Sequence, residues 1–358
     1  MVTSILVSLL CLQLSTAARL GARRVVAPVQ IADRVFVFIH PDATEDWPES
    51  NTTLIIGDSA ALVIDSGYLP STARADIAAI RALTKVPVRF LLNTHWHYDH
   101  NNGNAEYMRA FPGLQIVAQV ETRRIMDVMG PGYGRLVTDT SAAWIKTLTT
   151  LRARLRSGQD TLGHALSAET RRSLAENIAQ RETEQREMAS FTYAGPTLTF
   201  ERSLELELGG RTVVVGNFGR GNTPGDAYAW LEHERVLATG DLLVAPVPYA
   251  FNSYPAQWIR ALKGLKGLRA NIIVPGHGPV MHDESFLDNV LALLTSAVSQ
   301  AESVARQRIV PEAVAVKRID IEPFRSRFAG TDPGRNQWFD QLAAVLPLRA
   351  LREARGIN

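Results

Sequence analysis

Residues 94–104 read Thr94-His95-Trp96-His97-Tyr98-Asp99-His100-Asn101-Asn102-Gly103-Asn104. Three imidazoles and a carboxylate fall within six positions of a chain that holds only 8 histidines in 358 residues. The run follows residues 88–92, a short apolar stretch, so it begins where a buried strand is expected to end. Side chains two apart on an extended backbone share a face, which lets His95 and His97 meet one cation. Asp99 and His100 can then turn toward a second. Neutral imidazole is the commonest metal ligand, and a polar cluster of this kind without a metal would be costly to bury.

Working outward, the alternation at residues 34–39 predicts a strand, and residues 53–56 and 61–64 flank Gly57-Asp58-Ser59 as in a hairpin. Residues 73–83 carry apolar positions at helical spacing before the 88–92 strand. Strand, helix, strand, polar loop is the αβ pattern in which ligands collect at strand ends. From about 121 to 190 the chain is rich in Arg, Glu, Leu and Ala, with Gly130-Pro131-Gly132 and Gly134 near the start; this predicts a helical insertion preceded by a flexible loop. Strand patterns return at 197–200, 211–215, 227–231 and 236–238, followed by a helix near 258–265 and a strand at 271–274. The second half thus repeats the layout of the first. A helix after Asp283 places Phe286, Val290, Leu293 and Ala297 on one face. A main domain over 27–300 and a helical tail over 301–358 are expected, the tail carrying no motif beyond Val310.

Composition narrows the function classes. The chain is 46% hydrophobic and 21% charged, with a net charge of +2 and no long run of one sign. This suits a globular fold acting on a small-molecule substrate and disfavours a nucleic-acid groove; the oligomeric state is not encoded. An apolar run from Ile5 to Leu14, followed by Ser15, Thr16, Ala17 and Ala18, has the form of a secretory segment over 1–18, although no Lys or Arg precedes it. The run is too short to span a bilayer, so an exported, secreted or periplasmic protein without stable membrane insertion is expected. The single cysteine, Cys11, lies in that run, leaving a processed chain without thiol ligands.

The 95–100 hexapeptide resembles the signature of the metallo-β-lactamase superfamily. Thr239-Gly240-Asp241 is similar to that family's bridging-aspartate motif, Pro275-Gly276-His277-Gly278 to its last histidine motif, and Val63-Ile64-Asp65-Ser66-Gly67 to its early strand-end aspartate, which is structural. The resemblance runs over roughly 35–294. It implies an α/β fold, an αββα sandwich with the metals at one edge, here carrying the helical insertion. The implied ligands are His95, His97, Asp99, His100, Asp241 and His277, holding one or two zinc ions.

One position departs from the family. Gly219-Arg220-Gly221-Asn222-Thr223-Pro224-Gly225-Asp226 puts Asn222 where the resemblance implies a third histidine. A neutral amide oxygen is a weaker zinc ligand than imidazole, so the ion at His95 and His97 should be held less firmly than the one at Asp99, His100, His277 and the shared Asp241. A lineage working with one firm metal, an unusual dinuclear site and a degenerate enzyme all stay open. His233, between two glutamates, reads as a turn residue rather than a substitute ligand, and His164 and His282 as solvated residues.

The expected chemistry is hydrolysis of an ester or amide bond (β-lactam, lactone or thioester) by a zinc-bound hydroxide, with Asp99 as the catalytic residue that orients the nucleophile. Asp241 resembles hydroxyacylglutathione hydrolases and lactonases more than the best-known β-lactamases, whereas His97-Tyr98-Asp99-His100 resembles one β-lactamase subclass. Residues 244–254, with Pro246, Pro248, Tyr249, Phe251 and Tyr254, offer an apolar wall or loop packing. Trp96 alternates with the ligand positions and is expected to pack beneath them. The alternatives are a mononuclear iron oxidoreductase of the sulfur dioxygenase kind and a non-catalytic metal-binding protein.

Overall fold

Alternation along the strands decides the layers. In the computed structural model, which describes residues 26–41, 49–138, 143–160, 163–307 and 310–357, the hairpin β3 (Thr52–Ile56) and β4 (Ala61–Ile64) pairs antiparallel as expected. Ile55, Leu62 and Ile64 point to one side, while Leu54, Ile56, Ala61 and Val63 point to the other. Both faces are apolar, so the sheet must be covered twice.

The first sheet runs in the order β1 (Val29–Ala32), β2 (Val35–Phe38), β3, β4, β5 (Val88–Leu92), β6 (Gln115–Gln119), β7 (Leu198–Phe200). Its pairing is antiparallel up to β4 and parallel thereafter. The second runs β8 (Ser203–Glu207), β9 (Thr212–Gly216), β10 (Tyr228–Leu231), β11 (Val236–Val244), β12 (Ile272–His277), and only β11 and β12 are parallel. Inward residues of both sheets, among them Val35, Leu92, Val117, Val213, Val215, Ala229 and Val274, form one core. Outside the first sheet lies α1 (Pro70–Leu83), through Ala73, Ile77 and Ile80. Two short helices, α2 (Tyr98–Asn101) and α3 (Asn104–Ala110), follow β5.

The insertion consists of α4 (Val120–Thr138), α5 (Ala143–Ser157) and α6 (Ala168–Met188). Outside the second sheet lie α7 (Pro255–Gly267) and α8 (Ser285–Ala305), with Trp258, Leu262, Val290 and Leu293 buried. The tail adds α9 (Glu312–Ala315), α10 (Arg325–Phe328) and α11 (Pro333–Ala354), whose Phe339, Leu342 and Leu346 join the same core. The result is an αββα sandwich. The units β4–α1–β5 and β11–α7–β12 are equivalent parallel crossovers, one per sheet. Among the described residues, no helix is long and apolar enough to cross a membrane. Residues 1–25, with the apolar run and Cys11, lie outside the described residues.

Several expectations need correction. The glycine-rich stretch 130–134 is not a loop but the middle of α4, Pro131 included. A Cβ at Gly130 would lie 2.3 Å from the Tyr193 ring, so its small size serves helix packing rather than flexibility. The histidine loop is likewise not extended throughout, since Tyr98–Asn101 is helical. Strand β11 continues past Ala238 through Asp241 to Val244, with irregular register at Gly240. Strands β1, β6 and β8 were not apparent from the sequence, being short or flanked by polar residues.

Candidate metal centre

The side chains of the site come from strand ends, from one irregularity within a strand and from a short helix, so they can converge. Asp65 ends β4, His95 follows β5, Asp241 sits at the irregularity in β11, and His277 ends β12. A turn of helix at α2 then swings Asp99 and His100 back under His95.

Asp65 organises the loop. Its backbone takes a φ of 58°, a left-handed conformation that a short carboxylate side chain tolerates better than most. Its carboxylate accepts from Thr94 N (2.8 Å), Thr94 Oγ1 (2.8 Å) and His100 Nδ1 (2.7 Å). The Thr94 hydroxyl proton is thereby spent, so Thr94 Oγ1 accepts from His95 Nδ1 at 3.1 Å. Both His95 and His100 are left with Nε2 facing the centre.

The carboxylate of Asp241 divides its two oxygens. Oδ1 lies 3.2 Å from His100 Nε2 and 3.5 Å from His277 Nε2, whereas Oδ2 lies 3.5 Å from His95 Nε2 and 4.0 Å from His97 Nδ1. Asp99 Oδ2 is 3.0 Å from His277 Nε2 and 3.3 Å from His100 Nε2. Two donor groups therefore share His100: His95, His100 and Asp241, and Asp99, His100 and His277, with Asp241 Oδ1 also facing His277. A Cβ at position 276 would stand 2.0 Å from Asp241 Oδ1, so only glycine fits beside that carboxylate.

Charge follows from the geometry. Burial opposes ionisation of Asp99 and Asp241, but His100 and its neighbours outweigh it and hold both carboxyls well below their usual range. Burial likewise opposes charging of His100, yet Asp241, Asp99 and Asp65 raise it well above the ordinary imidazole value. Burial, helped by His100, drives His95 well below it. Asp226, buried and held by Thr223 N and Oγ1, is pushed up to about 7 by desolvation.

Asn222 is buried in the turn closed by Asp226, which is tied to the histidine loop by Ala227 N donating to Thr94 O at 2.8 Å. Among the described residues, both amide atoms of Asn222, His95 Nε2 and Asp241 Oδ1 are buried without a hydrogen-bond partner. His95 Nε2 and Asp241 Oδ1, orphaned within one donor group, are costly to bury unless a cation satisfies them, and this nitrogen and oxygen donor set suits zinc. His97 stands at the mouth: its side chain is 20% exposed against 1% for Asp241. His233 is 97% exposed in the β10–β11 turn, and His164 and His282 are also exposed.

Residues 46–277 match the model of the metallo-beta-lactamase superfamily. The chain belongs to that superfamily. Its members bind divalent metals, commonly zinc. Among curated proteins it is similar to a linear primary-alkylsulfatase of Pseudomonas sp. (strain ATCC 19151), with 24% identity over 253 residues. That alignment covers 69% of this chain but 44% of the relative, so the chain spans less than half of it. Among solved structures, a metallo-beta-lactamase from Pontibacter korlensis aligns at 18% identity and a TM-score of 0.53, covering 75% of this chain and 99% of that one. The DIM-1 metallo-beta-lactamase aligns at 15% identity and a TM-score of 0.51, covering 76% and 98%. These structural likenesses establish the superfamily fold.

Some supporting residues gave no sequence signal. Asn51 N donates to Gly276 O (2.7 Å), and its Nδ2 to Pro275 O (3.0 Å) and Gly278 O (2.8 Å), clasping the turn that carries His277. Ser50 Oγ donates to Asp99 O at 2.7 Å. Tyr98 stacks on Tyr133 of the insertion, whose hydroxyl meets that of Tyr68, which in turn donates to Glu184. The insertion therefore touches the helix that carries Asp99 and His100. Residues 244–254 divide: Val247 and Ala250 are core, whereas Tyr249 lies 5.9 Å from the His277 ring and Phe251 is exposed beside it.

Proposed function

We propose that the chain hydrolyses an ester or amide bond of a small carbonyl compound, of the β-lactam, lactone or thioester kind, at a zinc centre. His95, His97, Asn222 and Asp241 would hold one ion, and Asp99, His100, His277 and Asp241 the other. The second is the firmer, because its donors are complete without the amide of Asn222. The observation that carries this reading is the division of Asp241, whose two oxygens face two separate sets of imidazoles. Zinc supplies a Lewis acid that makes water acidic enough to lose a proton near pH 7 and polarises a carbonyl oxygen. Asp99, kept ionised by His100 and His277, accepts a hydrogen bond from the attacking water and orients it. Asp65 and Thr94 hold the imidazoles still while charge develops. Tyr249 beside His277 borders the approach.

A second reading is favoured by the alkylsulfatase relative: the scissile bond is a sulfate ester of an alkyl alcohol. Both are tested by metal analysis of the purified protein beside a panel of a chromogenic cephalosporin, an acyl lactone, an aryl ester, a thioester, an alkyl sulfate and an aryl phosphodiester. Zinc with turnover of a carbonyl substrate supports the first reading, and release of sulfate alone the second. Iron with visible absorbance rejects both in favour of oxidative chemistry, and bound zinc with no turnover indicates a non-catalytic protein. Asp99→Ala is expected to abolish turnover with the fold intact; unchanged turnover rejects its role. We also propose an exported location. N-terminal sequencing beginning at Arg19 supports it, and a mature protein beginning at Met1 rejects it.

A further inference from the structure

The helical tail lies beyond the residues that match the family, yet two of its side chains reach the rim of the metal centre. Arg349, within α11, donates from Nε to Ser253 O at 2.8 Å and from Nη2 to Asn252 O at 3.4 Å. One turn later, Glu353 accepts from Ala256 N at 2.7 Å and from Gln257 Nε2 at 3.2 Å, capping the first turn of α7. Gln257 Oε1 accepts from Arg220 Nε at 3.1 Å. The guanidinium groups of Arg220 and Arg349 lie 4.4 and 5.4 Å from the centroid of the Tyr254 ring. Tyr254 N donates to Gly221 O at 2.8 Å, next to Asn222. The 252–257 segment is thus pinned from the tail on one side and from the Asn222 turn on the other.

What this segment presents to the centre is Asn252, whose Oδ1 lies 3.2 Å from His97 Nε2. An amide oxygen only accepts, so neutral His97 carries its proton on Nε2 and keeps the lone pair on Nδ1. Nδ1 is the atom that faces Asp241 Oδ2 at 4.0 Å. His97 is the partly exposed histidine of the centre, and unlike His95 and His100 it takes its orienting bond from a surface loop. A loop left free would let the ring turn over and exchange tautomers.

We infer that the C-terminal helix is part of the active centre: Arg349 and Glu353 hold the 252–257 segment, and Asn252 thereby fixes His97 with Nδ1 toward the metal. Both are positioning residues. The metal-binding half of this statement rests on the zinc reading above, and the tautomer half does not.

The test uses full-length protein with 15N-labelled histidine at about pH 8.5, well above the ordinary imidazole pKa of ~6.5. Two-bond 1H–15N spectra report the His97 tautomer, assigned by a His97→Gln control. The metal-free protein is expected to show His97 protonated on Nε2. Asn252→Ala and Arg349→Ala should each give an averaged tautomer, with Arg349→Lys between them and the wild type. Added zinc should move Nδ1 of His97, and in competition with a chromophoric chelator both alanine variants should weaken the looser zinc about 10-fold to 100-fold and leave the tighter one unchanged. A wild-type Nδ1–H tautomer overturns the inference. So does an Arg349→Ala protein that melts lower with its His97 signals unmoved, which marks a purely structural role. If the tautomers behave as expected but zinc moves neither nitrogen, the zinc reading fails and the positioning role stands.

Discussion

His100 Nδ1 donates to Asp65 Oδ2 across 2.7 Å, joining the end of β4 to the helix that follows β5. Through this bond a carboxylate outside the donor groups chooses which nitrogen of His100 faces Asp99, His277 and Asp241. Replacement of a group in this role typically costs 10-fold to 100-fold in metal affinity. Asp65→Ala is expected to weaken the firmer zinc by about that factor, measured by chelator competition, and also to lower stability by stranding Thr94 and a residue with positive φ. Asp65→Asn, which tolerates that backbone, should retain more stability than affinity.

Asn222→His should raise zinc content toward two ions per chain, read by elemental analysis after exhaustive dialysis. Both amide atoms of Asn222 are buried without a partner among the described residues, so an imidazole placed there displaces no existing side-chain hydrogen bond. Unchanged stoichiometry would place Asn222 away from the metal.

Asp226 makes stability depend on pH. Its folded pKa, pushed up to about 7, exceeds the unfolded value of 3.8, so the folded state binds the proton more tightly. Its contribution is complete below the unfolded pKa and is lost as pH rises from about 4 to about 7, a difference on the order of 4 kcal/mol. In metal-free protein, Asp226→Asn should remove that dependence, since the amide can still accept from Thr223 N and donate to Thr223 Oγ1. Denaturant midpoints of both proteins across this window check it; parallel profiles reject it.

Asn51→Ala removes two side-chain donors from the carbonyls on either side of His277. A loss of about 1–3 kcal/mol is expected from leaving buried carbonyls without partners. Chemical denaturation of the metal-free protein measures it, and a zinc titration should show the firmer ion weakened as well. Full affinity with reduced stability would limit Asn51 to folding.

Legibility in the sequence followed the range of each interaction. His95, His97, Asp99 and His100 lie within six residues, and the apolar runs at 53–56 and 61–64 around Gly57-Asp58-Ser59 marked the β3–β4 hairpin. Asn51 and Arg349 carried no comparable sign, because each acts on backbone carbonyls about 100 or more positions away, and a carbonyl has no letter of its own. Gly130 in α4 misled for a related reason: its smallness answers Tyr193, about 60 residues on, rather than a local turn. Strands β11 and β12 read as ending at Ala238 and Val274 because Gly240-Asp241 and Pro275-Gly276-His277 break their apolar patterns.

The sequence alone determined the donor types, their loops and the departure at Asn222, since these are properties of residue identity and short spacing. Tertiary structure decided which oxygen of Asp241 faces which imidazoles, which nitrogen each histidine turns inward, and that the tail reaches the rim. Those depend on directions set by strand ends and distant carbonyls, and direction appears only once the two sheets have packed and fixed the backbone around the site.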